Sequence, residues 1–253
     1  MTDYRYERYL VDDLVRAIPH VFATGSSCVR ATEVTSGARV VDVVVAGAVD
    51  PVGKMCMDPG FGAAMLRLTQ PQLTVLAMVW SRERVTLSTL SRATWTSAGD
   101  LLSAYVEPLM SLGLLEETRS RTYRPTSWAE WRPEHVTTIE AKLRDWQDVL
   151  SQAVDNRDRS DFSYIAIPER EAFGLGQGQS IEAFARRLGV GVVRVDEQAG
   201  SRVSLRPRRR ATKPPLGRWI LALQMLVGLL SDDGKWTIDE GIRDTFQPAA
   251  LAV

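Results

Sequence analysis

Residues Arg39 to Ala46 read Arg-Val-Val-Asp-Val-Val-Val-Ala, five valines around one aspartate, with Gly37 and Gly47 on either side. A β-branched run between glycines predicts a buried strand, and Asp42 goes inside with it. A buried strand needs covering layers. A chain of 253 residues, 45% apolar and 25% charged, can supply them. That composition excludes a disordered, collagenous or wholly coiled-coil chain. Lys+Arg and Asp+Glu both number 31, so bulk charge cannot hold a nucleic acid and local patches would have to.

Leu10, Val11, Leu14 and Ile18 predict a helix over 4–18, closed by Pro19. Glu7 falls in the middle of its apolar stripe, where a carboxylate needs a partner. A strand is expected at 28–34, ahead of the valine run. Residues 50–62, with Pro51, Gly53, Pro59, Gly60 and Gly62, predict a loop. Over 70–128 three helices are expected: one on Leu73, Leu76, Ala77 and Trp80, one on Leu87, Leu90 and Ala93, and one from Leu101 to Met110 capped by Thr96 or Ser97. With Gly113 to Glu117, a turn, and Thr122 to Pro125 behind them, they resemble a winged helix-turn-helix whose last helix runs into a two-stranded wing.

From His135 the chain predicts a strand, then a helix with Leu143, Trp146, Leu150 and Ala153 on one face. Phe162 to Ile167 is a further buried strand ended by Pro168. A helix over 180–188 and a hairpin of Gly189–Val195 with Val203–Arg206 follow. Residues 206–218 form a basic, Pro-rich linker, 217–230 an apolar helix for packing or dimerisation, and a polar tail holds Trp236 and Ile242.

Alternate residues of a strand share a face, so Glu140 and Lys142 project together. If the Asp42 strand pairs in register with theirs, two carboxylates and one ammonium converge. Two carboxylates suit Mg²⁺, which keeps waters and a substrate phosphate as its remaining ligands. A metal-polarised phosphate, a water of lowered pKa and a lysine are the parts for hydrolysing a phosphodiester. Lysine is rare here: 27 of the 31 cations are Arg, and Lys142 is one of four lysines. The plainer reading of Glu140 and Lys142 is a surface ion pair.

Asp42 in a valine strand, then Glu140-Ala141-Lys142, then an amphipathic helix carrying Trp146 and Gln152, then a buried strand, resembles the restriction-endonuclease-like PD-(D/E)XK nuclease superfamily. The resemblance implies an α/β fold: a restriction-endonuclease-like core of a mixed sheet flanked by helices, with an inserted winged-helix module and a C-terminal helix. The core would be residues 1–69 and 130–205, the insert 70–129, and 206–253 a basic linker with a helical extension. It implies a DNA nuclease using Mg²⁺ or Mn²⁺, in defence or repair. Asp42 and Glu140 would hold the metal, Lys142 would assist the water, Glu7 would be an accessory acid and Gln152 the helix glutamine of some members. Val41 stands where the family often has proline, and Asn156 where it often has tyrosine. A nuclease fold kept without catalysis, in DNA binding or complex assembly, is the alternative.

Contact with DNA would fall to Arg119, Arg121 and Arg124 of the wing and to Arg206, Arg208, Arg209, Arg210 and Lys213 of the linker, by phosphate binding. The wing as a protein-binding module and the linker as a solvated segment are the other readings. A protein partner or a second copy could use the winged helix or the 217–230 helix. Cys28 and Cys56 as sole cysteines, without zinc-ligand spacing, suit a reducing cytoplasm. The N-terminus lacks the apolar core of a signal peptide, and Trp219 to Leu230 is too short to span a membrane. A cytoplasmic protein without membrane association is therefore expected.

Overall fold

The computed structural model describes residues 6–21, 28–36, 39–47, 59–130, 133, 135–169, 178–196, 200–209, 216–231 and 236–238. Residues 50–58 of the expected loop, Arg210, Lys213 and Ile242 lie outside them. The fold is α/β. It opens with α1 (Glu7–Val21), β1 (Cys28–Ser36), β2 (Arg39–Gly47), α2 (Pro59–Leu66), α3 (Gln70–Arg82), β3 (Val85–Thr86) and α4 (Leu87–Thr94). Next come α5, built of Ala98–Leu101, a π-helical stretch Leu102–Val106 and Glu107–Ser111, then β4 (Leu115–Arg119), β5 (Thr122–Pro125) and a 3₁₀ turn Ser127–Glu130. The chain continues through β6 (Val136–Ala141), α6 (Trp146–Asn156), β7 (Phe162–Pro168), α7 (Gly178–Leu188), β8 (Gly191–Val195), β9 (Arg202–Leu205), α8 (Leu216–Leu230) and β10 (Trp236–Ile238).

Seven strands form a mixed sheet in the order β10-β1-β2-β6-β7-β8-β9, and β3-β5-β4 form a small antiparallel sheet. The β6-β7 and β7-β8 pairs are parallel; the other pairs of the large sheet are antiparallel. One face of the large sheet buries Val43, Val45, Ile139 and Ala166 under Leu10, Leu14 and Ile18 of α1. The opposite face near β1 and β2 packs Val29, Ala31, Val44 and Ala46 into a cluster that runs through α8 into the helices and the small sheet. Trp80 of α3 stands 4.6 Å from Trp219 of α8 and 5.2 Å from Trp128, ring centre to ring centre. The helices between β2 and β4 therefore share a core with the sheet. Leu221, Leu223, Met225 and Leu226 of α8 are spent in that core, so these residues pack within the chain instead of facing a partner.

Several elements depart from the sequence expectation for local reasons. Pro19 does not close α1, which runs on to Val21. A proline in a helix leaves the carbonyl four residues earlier without its donor. Here that carbonyl is Val15 O, and Arg30 Nη1 of β1 donates to it at 2.6 Å. Pro59, expected in a loop, opens α2, a position where its missing N–H costs nothing. In α5 the buried positions Leu101, Val106 and Leu109 are spaced five and three apart, and the π-helical stretch brings them to one face. Ser97, not Thr96, caps this helix on the amide of Asp100 at 3.1 Å. Residues Trp236–Ile238, expected in a polar tail, add an edge strand to β1.

Trp95 ends α4 at φ +55° and is 96% exposed. A left-handed residue with a Cβ carries a steric cost, and an exposed indole recovers none of it by packing. Trp95→Gly is expected to stabilise the fold by about 0.5–1 kcal/mol, read as a higher midpoint in urea denaturation. An unchanged or lower midpoint would show that the indole contributes to folded stability.

Candidate active site

β2 and β6 run antiparallel, with Val43 opposite Ile139 and Val44 opposite Thr138. One step beyond, Asp42 reaches Glu140, and Asp42 Oδ2 accepts from the backbone amide of Ala141 at 2.7 Å. The side chain of Asp42 thus continues the ladder where the backbone pairing stops. On the other flank of β6, the amide of Lys142 donates to Ala166 O of β7 at 3.2 Å. Glu140 is held between two strands, 3% exposed, with Asn156 Nδ2 of α6 donating to its Oε1. Lys142 leaves the strand end toward α1 and α6. Its Nζ lies 3.7 Å from Glu7 Oε1 and 3.9 Å from Asp148 Oδ2.

The structure therefore brings together Glu7, Asp42, Glu140 and Lys142. Gln152 stands one contact further out: its Nε2 donates to Asp148 Oδ2 at 3.0 Å. Three neighbours were not expected in the site from the sequence. Asn156 shares the buried face of α6 with Val149 and Ala153, so a polar residue on an apolar stripe was the available signal. Asp148 looks like an ordinary first-turn acid. Glu33 stands opposite Asp42 on β1, because Thr32 pairs with Val43 and Val34 with Val41, and it adopts φ +51°. Nothing in its sequence context marks it.

Acids outnumber cations in this corner. Burial pushes the Asp42 carboxyl up, against its bond from the Ala141 amide. Glu140 is pushed up to about 8, first by burial and then by the neighbouring Asp42 charge. Protonated Glu140 is thus part of the folded protein near neutral pH. The sign follows from linkage. The folded chain keeps a proton that the unfolded chain gives up near pH 4.5, so stability falls as pH rises from about 4.5 to about 8. Glu140→Gln, which mimics the protonated acid, is expected to remove that slope and raise Tm at pH 8 by roughly 5 °C. Thermal melts of both proteins at pH 6 and pH 8 read it; parallel pH profiles would contradict the buried acid.

The donors are hard oxygens: each carboxyl has one oxygen on a fixed donor, Ala141 N–H or Asn156, and a second oxygen besides. Two carboxylates fit a small divalent cation that keeps several waters, and its charge would oppose the repulsion that holds Glu140 protonated. Among the described residues no group of three or more His, Cys, Asp or Glu is arranged to hold a metal ion.

The basic stretches are less favourably placed. β9 runs back along β8, with Arg202 opposite Arg194 and Leu205 opposite Val192. Arg206, Arg208 and Arg209 therefore emerge at the start of β7 and β8, where Arg208 N donates to Gly189 O and Arg209 lies 5.9 Å from the Phe162 ring. Glu140 and Lys142 are at the opposite end of the parallel strands. In the small sheet, Arg124 pairs with Glu116 across β4 and β5, the Arg121 amide donates to Glu117, and Arg119 is exposed. Arg218, counted at sequence level with the basic block, is buried against Asp161 at 2.5 Å.

Comparison with protein-family models, with curated proteins and with solved structures returned no match to this chain. Among the described residues no helix is long and apolar enough to cross a membrane.

Proposed function

We propose that this chain is a metal-dependent nuclease of the PD-(D/E)XK type, hydrolysing DNA phosphodiester bonds at Asp42, Glu140 and Lys142, with a winged-helix insert between β2 and β6. The observation that carries the reading is the meeting of Asp42 and Glu140 on adjacent strands, with Lys142 Nζ close to Glu7. The order α1, β1, β2, β6, α6, β7 agrees with the order of that fold's core. The three helices, β4 and β5 agree with a winged helix, and β3 would add its third strand.

Asp42 and Glu140 would hold a divalent cation, which when bound supplies the charge that polarises a phosphate and lowers the pKa of a water. Asn156 fixes the rotamer of Glu140, and the Ala141 amide fixes Asp42. Lys142 holds a positive charge beside them, positioned by Glu7 and Asp148, where it can orient a water or meet charge building on phosphate oxygens. Gln152 steadies Asp148 and acts on the centre only through it.

The inactive-fold alternative draws on the upward push on both acids: buried beside each other, Glu140 and Asp42 can share a proton without any metal. Two measurements separate the readings. The nuclease should cut plasmid or oligonucleotide DNA in Mg²⁺ or Mn²⁺ and not in EDTA, and Mn²⁺ should raise its Tm. No cleavage together with no Mn²⁺ binding by calorimetry would reject the nuclease in favour of the retained fold.

A further inference from the structure

The outward side of the first turn of α1 carries a cluster that the carboxylate centre does not use. The Arg8 guanidinium carbon lies 5.4 Å from the centre of the Tyr6 ring and 4.9 Å from that of Tyr9. Arg8 Nη2 donates to Tyr9 Oη at 3.1 Å, and the two rings meet edge to face with centres 5.8 Å apart. Both tyrosines are nearly half exposed, whereas Leu10 and Leu14 of the same helix are fully buried. Glu7 sits within this group in sequence but reaches Lys142.

A ring pair with a guanidinium over it has two uses for a nucleic acid: flat faces for bases and a cation for phosphate. The carboxylate centre has the opposite character. Glu7 and Asp148 flank Lys142, and the carboxyls of Asp42, Glu33 and Glu140 lie beside or beyond it, so an anionic strand needs attraction from beside the centre. Arg8 supplies it from the same helical turn as Glu7. A helix is about 10 Å across, which places the rings roughly that far from Lys142. Nucleotides stacked at about 3.4 Å per step cover that span in about three residues.

Building on the phosphodiester reading of the centre, we infer that Tyr6, Arg8 and Tyr9 form a stacking platform for unpaired bases, and that single-stranded nucleic acid is the substrate class. Bases inside a duplex offer no free face to these rings, so a closed duplex gains nothing from them.

The test is fluorescence anisotropy with a labelled 12-nucleotide oligo(dT) and a duplex hairpin closed by a non-nucleotide glycol linker, so that it has no unpaired bases, in EDTA so that no cleavage is needed. The full chain is compared with Tyr6→Ala/Tyr9→Ala and with Tyr6→Phe/Tyr9→Phe, each checked for an unchanged melt. The alanine pair should bind oligo(dT) about tenfold or more weakly. The phenylalanine pair should bind it within about twofold of the parent, and hairpin binding should be the same for all three. Equal oligo(dT) binding by parent and alanine pair overturns the platform, as does no oligo(dT) binding by the parent. A hairpin loss as large as the oligo(dT) loss overturns it too, by pointing to general charge. Ring-dependent oligo(dT) binding with no cleavage in Mg²⁺ or Mn²⁺ keeps the platform and removes the nuclease. Cleavage of duplex DNA by the alanine pair at the parental rate, with oligo(dT) ignored by both, keeps the nuclease and removes the platform.

Discussion

Lys142→Ala is expected to lower metal-dependent DNA cleavage by about 10³-fold while leaving Mn²⁺ binding nearly intact. A single preorganised charge-stabilising group is typically worth 10²–10³ in rate, and a group that moves a proton 10²–10⁴. Lys142 is the ammonium among the acids of this corner, between Glu7 and Asp148. It touches neither oxygen that Asp42 or Glu140 gives to its fixed donor. Asp42→Asn should differ in kind, because it removes a charged oxygen donor: cleavage and Mn²⁺ affinity fall together. Isothermal calorimetry beside single-turnover cleavage separates the two signatures. Equal cleavage by parent, Lys142→Ala and Asp42→Asn would reject this corner as the catalytic centre.

The largest expected loss of stability lies elsewhere. Arg218 Nε donates to Asp161 Oδ2 at 2.5 Å, its Nη2 donates to Pro133 O at 2.7 Å, and the same Asp161 oxygen accepts the Val136 amide at 2.8 Å. Both side chains are almost fully buried. Gly217 permits the approach, since a Cβ there would stand 2.7 Å from Asp158 O. Asp161→Ala leaves a buried guanidinium without its counter-charge and the first amide of β6 without its acceptor. Breaking a buried pair from one side typically costs about 3–5 kcal/mol, or roughly 10 °C in Tm for a chain of this size. Asp161→Asn with Arg218→Met keeps an oxygen for Val136 and removes the stranded charge, so it should recover much of the loss. Guanidinium denaturation of the three proteins measures this. A loss under about 1 kcal/mol for Asp161→Ala would mean that water reaches the pair.

The strands were legible wherever burial left no choice of residue. The valine run of β2 and Phe162 to Ile167 of β7 fall where the sequence places them, because β-branched and aromatic side chains covered on both faces leave little alternative. Glu7 and Lys142 could each be singled out in advance, as a carboxylate on an apolar stripe and a rare lysine, but their pairing appears only in the fold. Other features depend on contacts across the fold. Pro19 reads as a helix stop until Arg30, on another element, takes the carbonyl it strands. Arg206, Arg208 and Arg209 read as a phosphate-binding stretch whose place relative to the centre the sequence leaves open, and β9 carries them to the far end of the sheet. Arg218 reads as one more surface cation until Asp161 is found against it. Asn156 shows its place only through the fold, where its amide bonds the buried Glu140 directly.

The placement of the inserted segment has an entropic consequence. Asp42 and Glu140 touch, yet the whole stretch from Gly47 to Val136 lies between the strands that carry them. Loop-closure entropy grows only with the logarithm of length, about 0.6 kcal/mol per doubling. Replacing a tight turn by a segment this long takes roughly four doublings, a little over 2 kcal/mol. Burying one aromatic side chain of the size of Trp80 is worth about that much or more, and Trp80 lies wholly inside the shared core. The join between β2 and β6 leaves from the Ala46–Val136 end of their ladder, so it can be long without loosening the pair of carboxylates beyond the other end.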